Sequence, residues 1–192
     1  LLELHLARLR DSADYFDYPF DESRLRGEIA TRVCAFPAAP QRLRLQLAAN
    51  GTPTLEAAPL APLGTGPFVR VALARRPVDP DDVFLYHKTT HRRVYEAAKA
   101  DFPGHDDVIL WNEAGEVTES TIANLAVELD GALCTPPVEC GLLPGVARAE
   151  LLARGVLRER RLSLDELRAA PRLFLLNSVR GLFPAIFDPT AP

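Results

Sequence analysis

The apolar residues of this chain change their spacing along its length, and that change limits the fold more than any other feature. Leu2, Leu6, Leu9, Ala13 and Phe16 recur at alternating steps of four and three, which puts them on one face of a helix over about residues 2–17. Asp21 is placed to cap a second helix, with Leu25, Ile29 and Val33 as its inner stripe. The period then drops to two. In RLRLQL, Leu43, Leu45 and Leu47 alternate with Arg42, Arg44 and Gln46, as in a strand with one buried face. Asn50-Gly51 is a strong hairpin signal and leads to a second strand near residues 54–57. PFVRVALARR supplies a third strand, with Val69, Val71 and Leu73 on one side. The first segment therefore reads as helices beside an antiparallel sheet, in an α+β chain.

Pro77, Pro80 and the acidic Asp79, Asp81 and Asp82 interrupt this pattern. They divide the chain into an N-terminal α+β domain at residues 1–78, a linker at 79–86 and a C-terminal domain at 87–192. The chain contains no Met and opens inside an apparent helix, LLELHLARLR, so part of the first domain is expected to lie upstream. After the linker the pattern predicts a helix over about residues 90–100 and a strand, DVILWN, at 107–112. A turn, NEAG, leads to EVTES and a strand through NLAVEL. TPPVECGLLPG is a Pro/Gly-rich loop running into a helix that starts near Val146. SLDEL reads as a capping box, Ser163 with Glu166, and LFLLNSV as a buried strand at about 172–179. There is no internal repeat.

Composition narrows the possible partners. The 192 residues carry 22 Lys+Arg against 26 Asp+Glu, a formal charge of −4, and are 47% apolar, which excludes charge-dominated disorder. A mildly acidic chain lacks the basic face that binding to nucleic acid requires. No apolar run approaches the roughly 20 residues needed to span a bilayer, so no membrane partner is expected. Cys34, Cys134 and Cys140 cannot all pair and form no CxxC; they are expected as free, buried thiols in a reducing compartment, hence the cytoplasm. These cysteines and four scattered histidines offer no metal-ligand spacing.

Five features could carry chemistry, and each has an ordinary explanation when taken alone. Lys88, in YHKTTHRR, could be a solvated charge, and Glu119, in VTESTIANLAV, a rim carboxylate. Gly145, in LLPGVAR, opens a helix whose first amides could receive an anion. Ser178 and Val179 end an apolar strand with a hydroxyl and backbone amides, and Arg8 lies on the first helix. Their order along the chain is less ordinary. HLARL, HKTTHRR, VTESTIANL, TPPVECGLLPGVAR and FLLNSVRG together resemble the class IV pyridoxal-phosphate enzymes, a family that includes branched-chain and D-amino-acid aminotransferases and 4-amino-4-deoxychorismate lyases. The resemblance runs from about His5 to Phe183 and is strongest in the T-E-S-x-x-x-N-L and C-G-L-L-P-G blocks. HKTTxRxxYE favours the lyase-like domains found fused to, or beside, aminodeoxychorismate synthase.

The resemblance implies a two-domain fold, with a smaller N-terminal α+β domain, a barrel-like C-terminal α+β domain and pyridoxal 5'-phosphate between them. Lys88 matches the lysine that carries the cofactor aldehyde, and Glu119 the carboxylate facing the pyridine nitrogen. Arg8, the amides of Val146 and Ala147, Ser178 and Val179 match the phosphate ligands. Such a set suits the chemistry. A buried carboxylate keeps the ring nitrogen protonated, and a lysine amine freed of its proton can attack an aldehyde and later act as a base. Arg92, Arg93 and Arg180 are candidates for substrate carboxylates, against the plainer reading of solvated charges. Arg93 stands where some aminotransferases of the family have a tyrosine, and Ala147 where a threonine is common. The family's opening strands are expected to be missing. The implied activity is conversion of 4-amino-4-deoxychorismate to 4-aminobenzoate and pyruvate for folate synthesis. Alternatives are an aminotransferase on branched-chain or D-amino acids and a catalytically silent interaction domain of a synthase. A small-molecule substrate, a homodimer and a synthase component are the implied partners.

Overall fold

The computed structural model describes residues 1–61 and 67–189. The chain forms two compact units, a smaller one at Leu2–Pro62 and a larger one from Leu63 onward.

In the smaller unit, helices α1 (Leu2–Tyr15) and α2 (Glu22–Cys34) accompany a hairpin of β1 (Gln41–Leu47) and β2 (Pro53–Pro59). Asp21 caps α2 as its sequence position predicts, accepting from Arg24 N at 3.0 Å. The hairpin turns at Asn50-Gly51, where Gly51 has φ +78° and Asn50 Oδ1 accepts from Thr52 N. Leu6, Leu25 and Ile29 form the core with Leu43, Leu45 and Leu55 of the hairpin against them. Two members of the expected stripes stay outside: Leu2 and Val33 are 42% and 48% exposed. Cys34 is exposed as well, whereas Cys134 and Cys140 are the buried thiols the sequence leads one to expect.

In the larger unit, β3 (Val69–Leu73) pairs in parallel with both β4 (Asp107–Trp111) and β10 (Gly181–Phe187). The units divide ahead of β3, whereas composition places a linker at 79–86, and the strand pairing explains the difference. The Pro-Asp run holds a short 3-10 turn, Val83–Leu85, capped by Asp82. Helix α3 (Arg93–Ala100) follows. It starts three residues later than the sequence suggests because the His91 amide donates to Thr89 Oγ1 and the His91 ring stacks on Phe84 at 4.0 Å.

The sheet has eight strands in the order β5 (Val117–Ser120), β4, β3, β10, β9 (Leu173–Asn177), β6 (Asn124–Leu129), β7 (Ala132–Thr135), β8 (Leu157–Glu159). It has to curl. Ser120 and Asn124 are four residues apart, a reach of at most about 14 Å. Their strands nevertheless hold the first and sixth places, which a flat sheet would set about 24 Å apart. The barrel-like expectation is met by this half-barrel. Val71, Ile109, Val117, Leu125 and Leu175 fill one of its cores. Helices α4 (Val146–Ala153) and α5 (Leu164–Ala169) complete the unit, and α5 carries the expected Ser163–Glu166 capping box. Strand β9 stops at Asn177 rather than 179, because Asn177 Oδ1 accepts from Val179 N and Arg180 N and turns the chain into β10.

Candidate active site

All four residues of β5 are buried, although the strand lies at the edge of the sheet. Burial of Val117 is ordinary; burial of Glu119 at 4% exposure demands partners. Three protein donors supply them. Tyr95 Oη, from the first turns of α3, donates to Glu119 Oε1 at 2.8 Å, and Leu143 N donates to the same oxygen at 3.1 Å. Asn124 Nδ2, at the start of β6, donates to Oε2 at 3.1 Å. Burial pushes the carboxyl up to about 7, opposed by the Tyr95 and Leu143 hydrogen bonds and by the Lys88 and Arg92 charges. Burial and the facing carboxylate push the Tyr95 hydroxyl strongly upward, so it remains a donor. A carboxylate has about four acceptor positions. Three are filled here, which leaves one for a further N–H.

Asn124 also donates to Leu143 O at 2.9 Å and so staples the loop before α4 to Glu119. A Cβ at Gly145 would fall onto Asn124 Oδ1, which explains the glycine at this position. Gly145 caps α4 with no side-chain hydrogen bond, so the first amides of that helix, at Val146 and Ala147, face no competing cap. Helix α4 packs on β9, whose following turn carries Ser178, Val179 and Arg180. Ser178 and Arg180 are half-buried and Val179 is exposed. The Val179 amide, expected as a phosphate donor, is engaged by Asn177 Oδ1.

Lys88 lies between the 3-10 turn and α3, with its charge felt at Glu119. Its side chain is exposed. Arg92 donates to Thr121 O at 2.5 Å and lies over the Tyr95 ring, 4.7 Å from its centroid. Arg93 is exposed on α3. Arg8 is half-buried on α1 of the smaller unit. Among the expected residues the structure thus gathers Lys88, Arg92 and Glu119. Tyr95 and Leu143 are partners of Glu119 that sequence reasoning missed. The signal for Tyr95 was the tyrosine of HKTTxRxxYE; Leu143 acts through its backbone and leaves none.

The model of the family described as amino-transferase class IV matches residues 1–186. The chain belongs to that family. Its members are pyridoxal-phosphate-dependent enzymes. A Schizosaccharomyces pombe protein provisionally named an aminodeoxychorismate lyase is 31% identical over 94% of this chain and 80% of its own length. The crystal structure of a protein provisionally named an amino-acid aminotransferase from Mesorhizobium loti is 40% identical and superposes with a TM-score of 0.89, over 97% of this chain and 91% of its own. The 4-amino-4-deoxychorismate lyase of Pseudomonas aeruginosa is 28% identical with a TM-score of 0.77, covering 97% and 77%.

Two features of the chain suit the pyridoxal phosphate of class IV enzymes. The open acceptor position on Glu119 suits a protonated pyridine nitrogen, and the uncapped start of α4 suits a phosphate. Among the described residues no group of His, Cys, Asp or Glu could hold a metal, and no helix is long and apolar enough to cross a membrane.

Proposed function

We propose that this class IV enzyme is a lyase that converts 4-amino-4-deoxychorismate to 4-aminobenzoate and pyruvate. The observation that carries the cofactor chemistry is the buried Glu119, held by three donors with Lys88 as a facing charge. Support for the substrate is the likeness to the Schizosaccharomyces pombe protein and the HKTTxRxxYE segment. Pyridoxal phosphate, when bound, supplies an aldehyde for the substrate amine and a ring that withdraws electrons from the adjacent carbon. Glu119 holds a proton at the ring nitrogen, kept in place by Tyr95 and Asn124. The amides of Val146 and Ala147, with the Ser178 hydroxyl, bind the phosphate. Lys88 takes the proton from the carbon bearing the amine; the neighbouring enolpyruvyl group then departs with its ether oxygen and the bonding pair, takes up a proton to become pyruvate, and leaves the ring aromatic. A cytoplasmic location, a homodimer and a synthase partner belong to the same proposal.

Purified protein given aminodeoxychorismate should release pyruvate and 4-aminobenzoate in equal amounts, and Lys88→Ala should abolish both. The visible absorbance of lysine-bound cofactor should bleach with borohydride and be absent from the variant; a protein without it would be a silent interaction domain. The likeness to the Mesorhizobium loti protein favours a second reading, an aminotransferase on a branched-chain or D-amino acid. Efficient amino transfer to a 2-oxo acid without release of 4-aminobenzoate would decide for it.

A further inference from the structure

Arg92 matches a position from which a guanidinium could meet a substrate carboxylate, yet the protein engages that group twice. Its Nη2 donates to the Thr121 carbonyl at 2.5 Å, and its Cζ lies over the Tyr95 ring, 4.7 Å from the centroid. Both contacts lead to fixed groups. Thr121 donates through its amide and its hydroxyl to Asp107 Oδ1, at 3.2 and 2.5 Å, and the Asp107 side chain is fully buried. Tyr95 donates to Glu119. One planar cation thus spans the turn after β5 and the inner face of α3.

We propose that Arg92 is a positioning residue, clamping Tyr95 and Thr121 so that the phenol stays on Glu119 Oε1, and that it does not bind substrate. The inference rests on the reading of Glu119 as the partner of the ring nitrogen. A guanidinium suits the task because it can lie flat on an aromatic ring while its edge donates to a carbonyl, which an ammonium cannot do. The charged and titratable groups that act on Glu119 are Lys88, Arg92 and Tyr95, and Tyr95 is in turn acted on by Asp82 and Arg92. Without Arg92, Lys88 alone of the two cations remains, and the phenol loses the weight that holds its ring.

The test titrates the Glu119 carboxyl in cofactor-free protein carrying 13C-carboxyl glutamate, with Glu119→Gln to assign the signal. Arg92→Gln should move the Glu119 midpoint upward by about half a pH unit or more. In the loaded enzyme it should lower kcat about tenfold or more while KM changes less than about twofold. Arg92→Lys should restore part of the midpoint shift but little of kcat. An unmoved midpoint, or a KM raised about tenfold at unchanged kcat, would overturn the proposal. If Arg92→Gln does not fold, Arg92→Lys is read alone, and a kcat and midpoint equal to the wild type would overturn it. Because the titration needs no cofactor, its failure is separate from failure of the lyase reading, which the borohydride and product assays report.

Discussion

Glu119 is the residue on which the stability of the cofactor-free protein should turn. Its folded-state carboxyl is pushed up to about 7 from a usual 4.5. Between those values the folded protein keeps a proton that the unfolded chain has lost, so stability falls as pH rises across the window. The loss is on the order of 3 kcal/mol for a fully buried group. Glu119→Gln, which cannot ionise, should flatten the decline in melting temperature of cofactor-free protein between pH 5 and 8. Some slope should persist, because burial raises the Asp107 carboxyl as well. Melting curves with equal pH dependence in wild type and variant would contradict the argument. The sequence made Lys88 and Glu119 legible through the order of the blocks around them. Tyr95 was hidden because its inward direction depends on where α3 starts, and the sequence placed that start at 90 rather than Arg93. Leu143 was hidden for a deeper reason: the amide it contributes is common to nearly every residue.

Elements with local signatures were readable, and those defined by distant partners were not. The Asn50-Gly51 hairpin, the Asp21 cap and the Ser163–Glu166 box each place their defining residues within a few positions of one another. Strands β7 and β8 are four and three residues long, too short for a period to show. Strand β10 contains Pro184, which ordinarily argues against an inner strand, yet it pairs on both sides. The loop before α4 joins the two kinds of information, because LLPG reads as a helix start but not as a neighbour of Asn124. Gly145→Ala tests that neighbourhood. Its Cβ would displace Asn124 Oδ1 and with it the hydrogen bonds to Glu119 and Leu143 O. Overpacking of this kind costs about 1–3 kcal/mol. Denaturant unfolding should show that loss, and pyridoxal-phosphate affinity should fall more than tenfold, because the start of α4 and Glu119 shift together. A variant that binds cofactor as tightly as wild type would show that the staple has no part in the site.

At the scale of the molecule, the last strand in sequence is the one on which the larger unit depends. Strand β10 lies fourth in the order of eight, parallel to β3 and antiparallel to β9. Without it the sheet separates into β5-β4-β3 and β9-β6-β7-β8. Glu119 stands on a strand of the first piece, and its partner Asn124 on a strand of the second. The Ser120–Asn124 connection would remain, but the curl that closes the half-barrel relies on every intervening strand. Asp188 adds to the closure, donating its amide to Val71 O at 2.8 Å and meeting His105 and Arg70 through its side chain. Pairing between segments so distant in sequence carries a loop-closure cost that only the complete sheet offsets. A chain ended after Arg180 should therefore lose the cooperative unfolding of the larger unit and all cofactor binding, although Lys88, Glu119, Tyr95, Val146 and Ser178 are all still present. Circular dichroism during thermal unfolding and borohydride-trapped absorbance would read the two losses. A shortened chain that still melts in one sharp transition and retains lysine-bound cofactor would mean that the site is held locally and does not need the closed sheet.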